Sequence, residues 1–109
     1  IIKGEWLRPG THIDLAGAFK PTMREVDGDV VHMARVYVDT HDGALAEAGD
    51  LLQARDEGKF DFKFVQGDLA ALCSAKVHGR KTDAEITLFK SVGTALEDLV
   101  AATLVHLRN

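Results

Sequence analysis

The sequence predicts an α/β domain: a doubly wound sheet of about three parallel strands with crossover helices, ending in a long carboxyl-terminal helix. Two observations carry this. Short apolar runs at 11–16, 35–39 and 86–89 alternate with stretches whose apolar residues recur every three and four positions. Strand then helix, three times over, is the order of parallel crossover units. A chain of 109 residues fits one domain and buries roughly two-thirds of its unfolded surface.

Trp6 to Gly10 reads as a loop, with Pro9-Gly10 a turn pair and Trp6 anchoring it by burying its ring. The first strand runs from Thr11 to Ala16, with Ile13 and Leu15 alternating against His12 and Asp14. Gly17-Ala18 ends it and allows a close backbone approach to whatever lies beyond. Pro21 makes Phe19 to Glu25 a loop. Asp27 is the expected N-cap of a short helix through Met33, with Val30, Val31 and Ala34 facing inward. Arg35 to Asp39 is the second strand.

Thr40 to about Leu52 is expected to be helical, interrupted at Gly49. Residues 53–66 are the least legible, although Phe60-Asp-Phe-Lys-Phe64 alternates cleanly enough for a short strand. A helix from Gly67 or Asp68 to Ser74 follows, with Leu69, Leu72 and Cys73 inside. The third strand, Ile86 to Phe89, meets a turn at Lys90-Ser91 and a helix opening near Val92-Gly93. Its stripe is Leu96, Leu99, Val100, Thr103 and Leu107. Thr94 with Glu97 resembles a capping box, and Ser91 is a rival N-cap. Either cap leaves backbone N–H groups at the strand-to-helix junction, where an anion or polar ligand edge is favoured.

A net charge of −4 without a basic cluster argues against nucleic acid. Apolar runs of about five residues argue against a membrane span, and the amino-terminal residues do not resemble a secretion signal. The single Cys73 permits no internal disulfide and fits a reducing, cytoplasmic setting; on its apolar stripe it reads as a buried, inert thiol. The five histidines share no metal-ligand spacing, so no metal is expected.

Three blocks carry a family resemblance: HIDLAGAFKPTMREVD (12–27), RVYVDTHDGALAEAGDLL (35–52) and FKSVGTALEDLVAA (89–102). Together the sequence resembles the carboxyl-terminal portion of the ornithine cyclodeaminase/mu-crystallin family of NAD(P)-dependent proteins. The resemblance implies the trailing half of a Rossmann-like domain in residues 1–92. It also implies a terminal helix in 93–109 that returns to an amino-terminal dimerisation and substrate region. No G-x-G-x-x-G occurs and the sequence opens mid-stride at Ile1, so these residues are expected to be the last third of a longer homodimeric protein, inactive by themselves.

The resemblance places Ala16, Gly17 and Ser91 against an NADPH or NADH cofactor, and Phe19, Glu47 and Ser91 against substrate. Beside these stand plainer readings: Ser91 as a helix cap contributing about 1 kcal/mol, Phe19 as packing, Glu47 as a solvated helix position, Lys90 as a solvent-facing strand end, the last with screening of an acidic ligand or pairing with a neighbouring subunit as its alternatives. Asp39 is expected to cap the following helix, and Arg24-Glu25 to form a loop salt bridge or a tie to the missing region. Phe19 departs from the family's cyclodeaminases and alanine dehydrogenases, which carry an aspartate there acting on the substrate nitrogen. Met23 likewise stands where they carry a lysine. A phenyl ring exchanges no proton. The FKPTMRE form resembles the branch that reduces cyclic imino acids, Δ1-pyrroline-2-carboxylate and Δ1-piperideine-2-carboxylate. Ornithine cyclodeaminase activity, or a mu-crystallin-like small-molecule binder, is the alternative. The catalytic residues are expected in the absent amino-terminal part.

Overall fold

The computed structural model describes residues 1–93 and 95–108, with the backbone alone at 95 and 96. After a single helical turn at Gly4–Trp6, the chain runs β1 (His12–Leu15), α1 (Gly28–Met33), β2 (Arg35–Val38), α2 (His41–Glu47) and α3 (Gly49–Asp56). It continues through a turn at Phe62–Phe64 into β3 (Val65–Asp68), α4 (Leu69–Cys73), β4 (Thr87–Lys90) and α5 (Ala95–Arg108). The strands form one parallel sheet in the order β1-β4-β2-β3.

The sheet therefore has four strands where about three were expected. The extra one follows the alternating segment 60–64, whose end is a helical turn held by Asp61 accepting from the Lys63 amide. Alternation arose there because Phe60 is buried and Phe62 partly buried, while Lys63 and Phe64 face solvent. The helix expected from Gly67 or Asp68 starts one residue later, with the Asp68 carboxylate capping the Ala71 amide at 2.8 Å.

One face of the sheet carries the core. Ile13 and Leu15 of β1, Leu88 of β4, and Val36 and Val38 of β2 share it by period-two alternation and register. Val30 and Val31 of α1, Ala44 of α2, and Leu51 and Ala54 of α3 pack onto them. Each fully buried valine or leucine adds about 1.5–3 kcal/mol by leaving water. Asp27 caps α1 as expected, accepting from the Val30 amide at 3.0 Å. The interruption near Gly49 is a true break: α2 ends at Glu47 and α3 restarts at Gly49. A Cβ there would sit 1.9 Å from the Met23 carbonyl oxygen and 2.4 Å from that of Lys20. Glycine lets the 19–26 loop lie directly on the start of α3.

Three apolar residues expected inside lie outside. Trp6 is 60% exposed, and Leu7 packs on the core in its place. Leu69 and Cys73 are exposed too, because α4 is little more than one turn and only its Leu72 side leans toward the sheet. Among the described residues no helix is long and apolar enough to cross a membrane.

Candidate functional site at the strand tips

All four strands point their carboxyl ends the same way, so the segments following them gather at one edge, where ligands of doubly wound sheets lie. Beyond β1 come Ala16, Gly17 and Phe19; beyond β4 comes Ser91; beyond β2 come Asp39 and Thr40. The Ser91 amide donates to the Leu15 carbonyl at 2.9 Å, which seats Ser91 beside Ala16. Ala16 and Gly17 are exposed, and Phe19 is 49% exposed rather than packed beneath its loop. Glu47 lies exposed in the last turn of α2. The structure thus brings Ala16, Gly17 and Ser91 to adjacent tips, with Phe19 two residues further along the same loop.

Two carboxylates organise these tips. Asp39 is 3% exposed. Its Oδ2 accepts from the Ser91 hydroxyl at 3.2 Å, the Val92 amide at 3.1 Å and the Gly93 amide at 2.9 Å. Gly93 takes φ +91°, the left-handed conformation that turns successive amides toward one acceptor. The junction expected to attract an external anion is therefore filled by the chain's own carboxylate. Ser91 does not cap a helix, since α5 begins at Ala95; the candidate cap Thr94 lies outside the described residues. Asp39 does not cap α2 either. Thr40 does so, accepting from the Gly43 amide at 3.1 Å.

The second carboxylate is Glu25. Its Oε1 accepts from the amides of Gly17 at 2.7 Å and Ala18 at 3.2 Å. Lys90 Nζ lies 3.9 Å from that oxygen and 3.2 Å from Asp50 Oδ2. Asp50 Oδ1 accepts from the Glu25 amide at 2.6 Å and the Val26 amide at 2.9 Å. Lys90 and Asp50 are both 0% exposed, so the lysine expected in solvent is among the most deeply buried side chains. Their 3.2 Å separation lacks hydrogen-bond alignment, and neither Lys90 Nζ nor Asp50 Oδ2 has a hydrogen-bond partner among the described residues. The contact is Coulombic. Loss of either partner from such a buried pair leaves the other uncompensated, which is strongly destabilising.

Arg24 and Glu25 do not pair with one another. The Arg24 guanidinium makes two 2.8 Å bonds to the Glu57 carboxylate at the end of α3. The bonds from Arg24 hold the Glu57 carboxyl below its ordinary range and raise the guanidinium in return. Gln53 adds a bond to the Pro21 carbonyl at 3.0 Å. The 19–26 loop is thereby stitched to α3 along its length. Sequence reasoning missed Lys90, Asp50 and Glu25 as a unit, though one signal was present. Lys90 is two residues beyond Leu88, which puts it on the buried face.

A parallel α/β sheet with small residues and a hydroxyl at its strand tips belongs to the class of doubly wound nucleotide-type domains. The comparisons narrow the class. The sequence model of the ornithine cyclodeaminase/mu-crystallin family matches residues 1–109, and the chain belongs to that family. It is 39% identical to a Delta(1)-pyrroline-2-carboxylate reductase of Paracoccus denitrificans over 105 residues, covering 96% of this chain and 33% of the relative. It is 40% identical to the ketimine reductase mu-crystallin of Mus musculus over 108 residues, covering 97% of this chain and 31% of the relative. The structure of Thermococcus litoralis Delta(1)-pyrroline-2-carboxylate reductase in complex with NADH and L-proline superposes with a TM-score of 0.91 at 39% identity. That match covers 95% of this chain and 32% of the other. The chain spans about a third of the length of these relatives.

Proposed function

We propose that this chain is the carboxyl-terminal third of a cytoplasmic, homodimeric NAD(P)H-dependent reductase of cyclic imino acids, with Δ1-pyrroline-2-carboxylate and Δ1-piperideine-2-carboxylate as substrates. The observation that carries this reading is Phe19: half exposed at the β1 tip, it offers a ring face and no proton-exchanging group. Reduction of a C=N bond needs one hydride and one proton, not the repeated proton transfers of amine elimination. That chemistry suits an apolar ring at this position. The similarity to reductases of this substrate class supports it further.

The residues present fit one end of the cofactor. Ala16 and Gly17 offer a low surface for a flat nicotinamide ring, which supplies the hydride when bound. Because the Ser91 hydroxyl donates to Asp39, its lone pairs are left to accept from a carboxamide N–H. The pyrophosphate end is not served. The Val92 and Gly93 amides are engaged by Asp39, and no glycine-rich phosphate loop is present in the sequence. Residues 1–92 accordingly form part of the nucleotide domain, and 93–109 the helix reaching the dimerisation region. Glu47 faces substrate from α2, and the proton donor and carboxylate clamp lie outside these residues.

Two measurements test the reading. Turnover of the full-length protein with NAD(P)H should be found with both cyclic imino acids and be negligible with ornithine; ornithine conversion without imine reduction overturns it. Calorimetric titration of NADPH into residues 1–109 alone should give no micromolar binding.

A further inference from the structure

We propose that Glu25, Lys90 and Asp50 form a positioning relay that sets the height and tilt of the Gly17–Ala18 turn. On this account buried Lys90 governs hydride transfer without touching cofactor or substrate. The inference rests on the reductase reading above. Three observations support it. The Gly17 and Ala18 amides converge on a single oxygen, Glu25 Oε1. That oxygen is also the one nearest Lys90, at 3.9 Å, so the lysine charge bears on the carboxylate arm that holds the turn. Asp50 fixes the far side. One of its oxygens faces Lys90 at 3.2 Å, and the other takes the Glu25 and Val26 amides, locking the backbone from which the Glu25 side chain springs.

The turn has little other freedom. A Cβ at Gly17 would lie 2.9 Å from the Glu25 carboxyl, so the carboxylate rests directly on the backbone of the turn. Ala18 is 1% exposed, which anchors the next residue in the core. Lys90 Nζ has no aligned hydrogen bond among the described residues, an arrangement that serves orientation by charge better than it serves local stability.

The test uses the full-length protein with three variants: Glu25→Gln, Lys90→Arg, and the double Asp50→Asn/Lys90→Met. The double variant removes both buried charges together and so avoids stranding one. Glu25 is the partly exposed member, so Glu25→Gln is the variant least able to unfold the protein. Expected for Glu25→Gln and the double variant is a fall in kcat of about 10- to 100-fold, the size associated with misplacing reacting atoms by about 1 Å. KM for the imino acid should change less than about threefold, because the substrate clamp lies elsewhere. The primary isotope effect with NADPH deuterated at the transferred position should rise, since chemistry becomes rate-limiting. Selective amide spectra should show the Gly17 and Ala18 resonances displaced. Lys90→Arg, which keeps the charge, should restore part of kcat. Unmoved Gly17 and Ala18 amides, or kcat within twofold of the parent in a folded Glu25→Gln protein, overturns the relay. A parent that reduces no cyclic imine refutes the reductase reading instead, and the amide spectra then decide the relay by themselves.

Discussion

The strand tips and α5 treat burial in opposite ways. At the tips, three charged side chains are drawn into the protein and two of them lose all contact with solvent. Along α5, Leu99, Val100, Leu104, Val105 and Leu107 stay 51–76% exposed although they are the most apolar part of the helix. Hydropathy alone would assign the two regions the other way round. The difference shows that this chain answers its polar groups internally while leaving an apolar surface uncovered. The tips close their polar groups on one another, and the helix leaves an apolar stripe exposed.

The largest effect that could break this comparison is Lys90→Met. Removing one partner from a buried ion pair costs about 3–5 kcal/mol, and urea unfolding should show most of the loss recovered in Asp50→Asn/Lys90→Met. A neutral single variant means the buried charges are not coupled.

Next in size is Asp39→Ala, which leaves the Ser91 hydroxyl and the Val92 and Gly93 amides without their acceptor. A loss of about 1–3 kcal/mol is expected, accompanied by loss of hydrogen-exchange protection at the amides of residues 92 and 93. Retained protection shows that the junction is held by something other than Asp39.

A smaller effect comes from acid. Partial burial pushes the Glu85 carboxyl upward, but the Thr82 and Lys81 amides that donate to it, with Arg35 3.0 Å away, outweigh this and leave it below the ordinary 4.5. Glu57 is lowered by its bonds from Arg24. For a carboxylate whose pKa is lower folded than unfolded, stability is fully present above the unfolded value and is lost as pH falls through the folded one. Thermal midpoints should therefore hold above pH 4.5 and fall below it, and Glu85→Gln should flatten the decline. A midpoint independent of pH down through that range refutes the assignment.

Least is expected on α5. Leu104→Ser and Leu107→Ser should change the stability of this chain by no more than about 0.5 kcal/mol. Light scattering should show the parent chain self-associating and the doubly substituted chain doing so less, because an exposed apolar stripe promotes association. A monodisperse parent blurs the contrast between the two regions.

The sequence made β1, β2, β4 and α1 legible because alternation and capping are local: Ile13 with Leu15, and Asp27 three residues before Val30, need no tertiary knowledge. It made Gly49 legible as an interruption but not the reason, which is the backbone of a loop more than 20 residues away. Single apolar residues misled. Trp6 was expected to be buried from its type and Cys73 from its place on an apolar stripe, and neither says whether a surface lies opposite. The site was half legible. Its tips follow from where the strands end, but the Glu25–Lys90–Asp50 contact joins residues from three segments that no local pattern connects.

The sheet order carries a last consequence. The final strand made slots between the first and the second, so residues 12–15 wait through more than seventy further residues for their partner. Until residues 87–90 leave the ribosome, the first strand has no neighbour among the described residues and the lysine for the buried charge pair does not yet exist. A chain halted after residue 86 is therefore left with two disconnected halves instead of a shortened sheet, and assembly is weighted toward late, long-range closure.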